Sequence, residues 1–197
     1  MKKITITITL ILAVLTSNVF SQDTDTDVVN FTAILSSVLN LNVTGGQDQT
    51  ATFDTPAAYN LGIDAVGTTT ITIESTANWN LQINAADFSD GASAIIPINN
   101  LGVWCEATGS HAIGTEVSCS YTSLANALGI TNSDQMLLDN LTENSGDATD
   151  NAFNLNWTMG TMNGTMNTAS IFDQLADGTI ANIGNFTTTV NLTLTAL

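Results

Sequence analysis

The sequence predicts an all-β fold: an antiparallel, two-sheet β-sandwich with Ig-like Greek-key connections. Three observations carry this prediction. Apolar and polar residues alternate with a period of two, Thr and Asn fill the polar positions, and Gly, Asn and Asp cluster between the alternating runs. Helical periodicity is confined to residues 123–128 and 169–176. Many short strands between turn residues are typical of a sandwich, and closure into a barrel stays open as an alternative.

The first residues are predicted to be a cleaved export signal, residues 1–21. Lys2 and Lys3 precede an apolar run, and Val19 and Ser21 occupy the small-residue positions before a cleavage site at Gln22. The apolar run is too short for a confident membrane span, and no second long run follows. We therefore expect a secreted protein, extracellular or at the surface of a bacterium, with no transmembrane segment in the mature chain.

The charge balance excludes several functions. Lys2 and Lys3 are the only basic residues beside 18 acidic ones, so the chain offers no cationic surface to DNA or RNA. It likewise offers no Arg to clamp an anionic substrate and no Lys to form a Schiff base. His111 is the only histidine, which argues against a catalytic triad. The sequence predicts a protein that is not an enzyme and has no required cofactor.

An acidic extension, residues 22–36, precedes the predicted single sandwich domain, residues 37–197. Four apolar residues in this extension stand two positions apart, as they would on one face of a strand: Val29, Phe31, Ala33 and Leu35. The spacing fits the first strand of the domain. It also fits a donor strand that adds to an exposed sheet edge of a neighbouring molecule.

Within the domain, alternation predicts strands at residues 39–43, 70–74, 79–84, 153–159 and 186–195. The second and third of these are predicted to form a hairpin around residues 75–78. Trp79 and Trp157 fall among the apolar positions, so both are expected in the core. Trp104 is less clearly in phase and is the candidate exposed platform for a glycan.

Cys105 and Cys119 are the only cysteines. In an exported chain an isolated pair predicts a disulfide. The residues around each cysteine have strand character, and the loop between them, residues 109–114, would centre a hairpin that sets the pair opposite each other. The sequence therefore predicts one hairpin disulfide.

Two acidic clusters are candidate calcium sites. Asp87 and Asp90 form the first, and Asp147 and Asp150 form the second. Ca²⁺ prefers several oxygen ligands, but neither cluster matches a full calcium-binding loop, and Asp is also a common turn residue. Both interpretations, a calcium site and an ordinary turn, stay open.

Two stretches resemble known families of bacterial surface proteins. The run from Glu74 to Phe88, with Trp79-Asn-Leu81 inside it, looks like the first signature of WxL-type cell-wall-binding domains, and residues 178–196 are similar in layout to their last strand. The alternating C-terminus, with Gly184 fourteen residues from the end, resembles chaperone–usher pilins and spore-coat-U-like subunits. The second resemblance implies a sandwich that lacks one strand and borrows it from a neighbour.

These observations predict an exported, non-enzymatic structural or adhesive surface protein. We expect it to self-associate as a subunit of a fibre, a pilus-like filament or a surface layer. The alternative is a monomeric β-sandwich module that binds cell-wall or surface glycan.

Overall fold

Within residues 30–197, the part of the chain that the computed structural model describes, the alternating segments form two antiparallel sheets packed face to face. The all-β prediction is confirmed. The strands are β1 (Leu39–Gly45), β2 (Ile63–Ser75), β3 (Trp79–Ala85), β4 (Phe88–Ser89), β5 (Ile95–Ile96), β6 (Leu101–Ala107), β7 (Val117–Ser118), β8 (Leu128–Gly129), β9 (Gln135–Asn140), β10 (Gly146–Met159) and β11 (Val190–Ala196).

The strand order sets which strands are edges. One sheet has five strands in the order β1-β2-β10-β6-β8, and the facing sheet has four in the order β11-β3-β9-β7. β4 and β5 pair separately as a small ribbon. The first and last long strands therefore lie at edges of opposite sheets, and they face each other on the same side of the sandwich.

The core lies between the two sheets because the apolar positions of both alternate inward. Trp79 of β3 and Phe153 of β10 are fully buried and meet edge to face, with ring centroids 6.0 Å apart. Trp157 is also buried, as the sequence predicts, and its indole N–H donates to Thr69 Oγ1 over 2.8 Å. Fully buried aliphatic residues fill the rest: Ile71, Ile73, Leu81, Ile83, Val103, Leu138 and Leu155.

The predicted hairpin of residues 70–84 is wrong. β2 pairs with β1 and β10, whereas β3 pairs with β11 and β9, so residues 76–78 carry the chain from one sheet to the other. Asn144, which is fully buried, bonds to Trp79 at the start of β3. Its Oδ1 accepts from the backbone N–H of Trp79, and its Nδ2 donates to the carbonyl of Trp79. In a hairpin, the backbone groups of a neighbouring strand would pair with the N–H and carbonyl of Trp79. Here the side chain of Asn144 pairs with them instead.

Helical structure is scarce, and two short stretches of it were predictable. A 3₁₀ turn at Leu124–Asn126 and the helix α2 (Ile171–Ala176) fall inside the two stretches with helical periodicity. A second 3₁₀ turn lies at Ile98–Asn100. The helix α1 (Pro56–Leu61) was missed, although Thr55 caps its N-terminus and Pro56 begins it.

The residues before β1 form no strand in the described part of the chain. Contacts divide the chain into two units, residues 1–35 and residues 36–197. Residues 30–35 have no regular secondary structure, and Phe31 and Leu35 are 93% and 91% exposed. A search of the described residues found no helix with the length and apolar character needed to cross a membrane.

Candidate functional site

The outer edge of β11 is the largest unpaired feature of the four-stranded sheet. β11 has seven residues and pairs with β3 on one side, while no described strand pairs with its other side. The strand contains no charged residue and no proline, and its ladder with β3 runs without a bulge. Charge, proline and bulges are the usual means by which proteins protect an edge from further pairing. β11 has none of them.

The register shows which backbone groups of β11 face the open side. Leu197 N–H donates to the carbonyl of Asn78, the residue opposite it, over 2.8 Å. Because bonding alternates along an antiparallel ladder, Asn191, Thr193 and Thr195 point their backbone groups at β3. The backbone groups of the intervening residues point away from the sheet: Val190, Leu192, Leu194 and Ala196.

The facing edge strand, β1, is better protected. Thr76 N–H donates to the carbonyl of Val38, so Leu39, Leu41 and Val43 turn their backbone groups to the open side. The register with β2 shifts between Val43 and Gly45, and the amide of Gln47 donates to the carbonyl of Val43 over 3.3 Å. A bulge and a side-chain bond therefore occupy the end of this edge.

Aliphatic side chains line the space between the two edges. They pack against the core but stay half-buried, unlike their equivalents deeper in the sheets: Leu41, Val43, Val190, Leu192 and Leu194. An additional strand along β11 would complete their burial and pair the free backbone groups. Such a surface suits an extended peptide, because main-chain bonds supply affinity and alternate side chains supply specificity.

The predicted donor residues fall partly within the described chain. Phe31 and Leu35 are almost fully exposed, and Ala33 is exposed as well. Val29 lies outside the described residues. Ile34, on the opposite face of an extended chain, is 87% exposed. Because residues 30–35 form no strand and stay exposed, they are not the first strand of the described domain, and the donor role stays a prediction.

A groove that sequence reasoning missed lies beyond one end of these edge strands. It encloses about 690 Å³ between the segment that follows β1 and the segment that precedes β11. Phe53 and Tyr59 stand on one wall with ring centroids 5.6 Å apart, and Ile183 and Phe186 belong to the other. Ile183 is 75% exposed. No sequence signal marks the groove, since its walls come from residues more than a hundred positions apart.

Trp104 lies on the outer face of the five-stranded sheet. It is half-buried, whereas its neighbours Val103 and Cys105 are buried in the core. Asn156 stands opposite it on β10 and bonds through Oδ1 to Thr68 Oγ1 over 2.8 Å. The Nδ2 of Asn156 has no partner. An indole beside amide and hydroxyl groups is a surface on which a sugar ring could stack and form hydrogen bonds.

The four acidic residues proposed as calcium ligands accept hydrogen bonds from backbone N–H groups. Asp87 Oδ1 accepts from Ile98 N–H, and Asp90 Oδ1 accepts from the N–H groups of Ala92 and Ala94. Within residues 30–197 no three side chains of His, Cys, Asp or Glu are grouped as a metal site would require.

The second acidic pair closes a turn on itself. Asp147 Oδ1 accepts from the N–H groups of Thr149 and Asp150, and Asp150 Oδ2 accepts from Asp147 N–H. Ser110 Oγ donates to Asp150, and this bond together with the one from Asp147 lowers the pKa of the Asp150 carboxyl from its ordinary value. His111 lies beside them, with Nδ1 2.9 Å from Asn151 Oδ1. The ordinary turn interpretation accounts for all these contacts.

The two cysteines do not lie on paired strands of a hairpin, and their sulfur atoms are not at disulfide distance. β6, which carries Cys105, pairs with β10 and β8, while β7, which ends just before Cys119, pairs with β9 in the other sheet. The predicted hairpin pairing is therefore wrong. The chain after β7 returns alongside β6, because Cys105 N–H donates to the carbonyl of Tyr121 over 2.7 Å.

Both cysteines are free thiols in this structure, Cys105 buried and Cys119 half-buried. The neighbouring Cys119 thiol, together with burial, raises the pKa of Cys105, and the neighbouring Cys105 thiol lowers the pKa of Cys119. Cys119 is thus the thiol of the pair that ionises first.

Comparison with known proteins adds no assignment. No protein-family model matches the chain, and no curated protein shows significant similarity to it.

Proposed function

We propose that this protein is an exported, non-enzymatic structural subunit that assembles with its own copies into a fibre or surface layer by strand addition at β11. The observation that carries the proposal is the strand order. An Ig sandwich places strands A-B-E-D in one sheet and C-F-G in the other. β1-β2-β10-β6 corresponds to A-B-E-D, and β3-β11 corresponds to C-F. No described strand occupies the position of G, beside β11.

One part of the order departs from the Ig scheme. Between β6 and β10 the chain crosses to the other sheet in β7, returns in β8, crosses again in β9 and returns in β10. β9 lies on the far side of β3 from β11. β9 and β7 therefore extend the four-stranded sheet on the side of β3 that is away from β11. The G position beside β11 stays free of described strands. An Ig-like Greek key with its last strand missing is the classification that we adopt for the fold.

The donor that we propose is the apolar row Val29, Phe31, Ala33 and Leu35 of a second copy. Residues 29–35 match the length of β11, which has seven residues. Paired along β11, the row would direct its side chains at the half-buried Val190, Leu192 and Leu194. The segment carries no charge, so its burial requires no paired counter-ion.

Within each subunit we propose that Cys105 and Cys119 close a disulfide after export. The chain that follows β7 runs beside β6 at Cys105, and a bond between the two sulfur atoms would tie β6 of one sheet to the chain that leaves β7 of the other. This is a cross-link between the sheets, unlike the hairpin disulfide that the sequence predicts.

Deletion of the extension tests the assembly. The chain from Gln22 is purified and its mass in solution is measured, and the same is done for a chain that begins after residue 36. The control begins at Val29, which removes the acidic run Asp23-Thr-Asp-Thr-Asp27 but keeps the donor row. We expect polymers from the first and third chains and monomers from the second. A folded monomer from all three would contradict the proposal.

The glycan-binding alternative has one specific observation in its favour, the half-buried indole of Trp104 on the outer face of the five-stranded sheet, near the exposed Thr68. Sedimentation of the monomer with insoluble cell-wall glycan tests it. Loss of binding in Trp104→Ala, with retention in a control such as Trp79→Phe that keeps its fold, would favour the glycan module. Equal sedimentation of wild type and Trp104→Ala would remove Trp104 as the platform.

A further inference from the structure

The groove beside the edge strands gathers half-buried aromatic side chains. The aromatic residues of the core, such as Trp79 and Phe153, are fully buried. Four others line the groove, and each keeps part of its surface in contact with solvent: Phe53, Tyr59, Phe88 and Phe186. The groove can therefore present aromatic surface to a ligand.

Separate stretches of the chain hold these rings in place. Phe53 follows β1 and packs against Tyr59 of α1, with the ring planes inclined at 49°. Phe88 begins β4, where the next residue, Ser89, exchanges two backbone hydrogen bonds with Thr187, of 3.0 and 2.9 Å. These bonds fix β4 beside the segment that precedes β11, so the second wall of the groove is anchored as firmly as the first.

The base of the groove is apolar. Four buried residues that line it form the small core cluster against which the aromatic residues pack: Ile96, Met159, Ile171 and Ile180. Such a base offers no set of oxygen ligands for a bare metal ion, which needs several. The volume of about 690 Å³ lies within the range of about 300 to 1,000 Å³ that is usual for small-molecule sites. The groove thus suits a ligand with an apolar body.

The charge around the groove favours a cation. Asp48 belongs to the lining and is exposed. No Lys or Arg occurs after residue 3, and His111 lies outside the lining, so no basic side chain of the described chain stands against this carboxylate or over the rings. An anionic ligand would meet only charge of its own sign.

We propose that this groove binds a small organic cation with an apolar body, such as an alkylated ammonium compound. The face of an aromatic ring carries partial negative charge and attracts a cation within about 6 Å of its centre. Phe53 and Tyr59 would contact the alkyl groups around the positive charge, and Asp48 would supply the opposite charge at the rim. This binding does not require assembly at β11.

Two probes of equal shape test the role of charge. Choline carries a positively charged nitrogen, and in dimethylbutanol, its neutral isostere, a carbon atom takes the place of that nitrogen. The methyl resonances of both are followed by NMR as the purified protein is added, at about 150 mM NaCl to screen attraction between exposed charges. We expect choline to bind about tenfold more tightly, with its methyl resonance moved upfield by the rings.

Removal of one ring tests the aromatic wall. Tyr59→Leu keeps an apolar side chain at this position, and we expect it to lower the affinity for choline about tenfold. Tyr121→Leu is the matched control, because Tyr121 is the other tyrosine, is half-buried as well and packs on the main core. Phe53→Leu gives a second test of the wall should thermal denaturation show that Tyr59→Leu has lost its fold.

Removal of one charge tests the rim. Asp48→Asn keeps the shape of the side chain and should weaken choline binding severalfold. Glu143→Gln removes the same charge from an exposed position on the loop between β9 and β10, outside the lining, and should leave choline binding unchanged. Equal losses from both variants would show attraction to the whole acidic chain instead of to this groove.

Vesicles of phosphatidylcholine separate two sources of the cation, because they carry the trimethylammonium group of choline on a membrane surface. Sedimentation of the protein with these vesicles, lost in Tyr59→Leu, would assign the site to a lipid headgroup. Binding of free choline without sedimentation would assign it to a dissolved compound. Either result supports a cation site in the groove.

Three results would overturn the proposal. The first is equal binding of choline and dimethylbutanol, which would show an apolar groove with no preference for charge. The second is choline binding that Tyr59→Leu, Phe53→Leu and Asp48→Asn all leave unchanged, since the cation would then bind elsewhere. The third is absence of choline binding to the folded protein. None of them bears on assembly, which the mass in solution reads separately.

Discussion

Asn144 ties the loop between β9 and β10 to the start of β3 through one buried side chain. Besides its two bonds to the backbone of Trp79, its own carbonyl accepts from the indole N–H of Trp79 over 2.6 Å, and its N–H donates to Asn78 Oδ1 over 3.1 Å. No hydrophobic residue could replace it without leaving the backbone of Trp79 unpaired in the core. The side chain therefore determines where β3 begins.

Asn144→Ala should lower the free energy of unfolding by about 2 to 4 kcal/mol, because it leaves a buried N–H and a buried carbonyl without partners. Urea denaturation measures the change. Ser145→Ala is the control, since Ser145 is half-buried and its one bond, to Glu143, is 3.5 Å long; we expect less than about 0.5 kcal/mol. Similar effects from both variants would contradict the role of Asn144.

The cysteine pair gives a second prediction at this scale. Oxidation should join Cys105 to Cys119 and raise the free energy of unfolding by about 3 kcal/mol, the value for a loop of this length. Denaturation with and without dithiothreitol measures the difference, and Cys119→Ser should abolish it. An oxidised protein that keeps both thiols, as counted by alkylation and mass, would contradict the disulfide.

Strand β11 pairs with β3 on one side, and no described strand pairs with its other side. Its odd-numbered residues bond to β3, and its even-numbered residues turn their backbone groups outward. Proline is tolerated on an edge strand where its missing N–H would have faced solvent. The two sets of residues can therefore be tested separately.

Val190→Pro should reduce polymer formation strongly and leave the monomer folded, because the lost N–H faces the open side. Asn191→Pro, one position along, removes an N–H that faces β3 and should lower the free energy of unfolding by about 1 to 3 kcal/mol. Size-exclusion chromatography and thermal denaturation of both variants supply the two readouts. Polymer formation by a well-folded Val190→Pro protein at the wild-type level would argue against β11 as the acceptor.

The alternation of apolar and polar residues located several strands well. It could not show which strands pair with each other. β1, β3 and β11 follow from period-two patterns, and Trp79 and Trp157 were placed in the core correctly. The turn at residues 76–78 has the length and composition of a hairpin, and only Asn144, far along the chain, marks it as a crossing between sheets. The predicted cysteine hairpin was wrong for the same reason, since β6 and β7 pair in different sheets. The open edge of β11 is a property of the whole strand order, which no local pattern contains.

For the molecule as a whole, repulsion between the acidic side chains of neighbouring copies opposes the assembly that the open edge of β11 favours. No Lys or Arg occurs after residue 3, so the surfaces that meet in a fibre carry acidic side chains without basic partners. Asp147 and Asp150 lie near the start of β1, since β1 and β10 both begin opposite Ser75, and Asp48 lines the groove. Repulsion between copies should therefore depend on screening.

Assembly should be weaker at about 10 mM salt, where the Debye length is about 30 Å, than at about 150 mM, where it is about 8 Å. Light scattering across a NaCl series measures this. Addition of CaCl₂ and then a chelator at constant ionic strength separates bridging of carboxylates from screening. Assembly that responds to neither salt nor chelator would contradict the electrostatic account.

β1 begins opposite Ser75 and β11 ends opposite Trp79, so these two strand ends lie at the same end of the sandwich, and this has a mechanical consequence. In a fibre formed by strand addition at β11 and placed under tension, force would enter a subunit through β1 and leave it through the strand held on β11. Both strands would be pulled along their own axes, so the bonds of each ladder would bear load together in shear instead of opening one after another. Such a fibre would resist pulling along its length far better than peeling from its side.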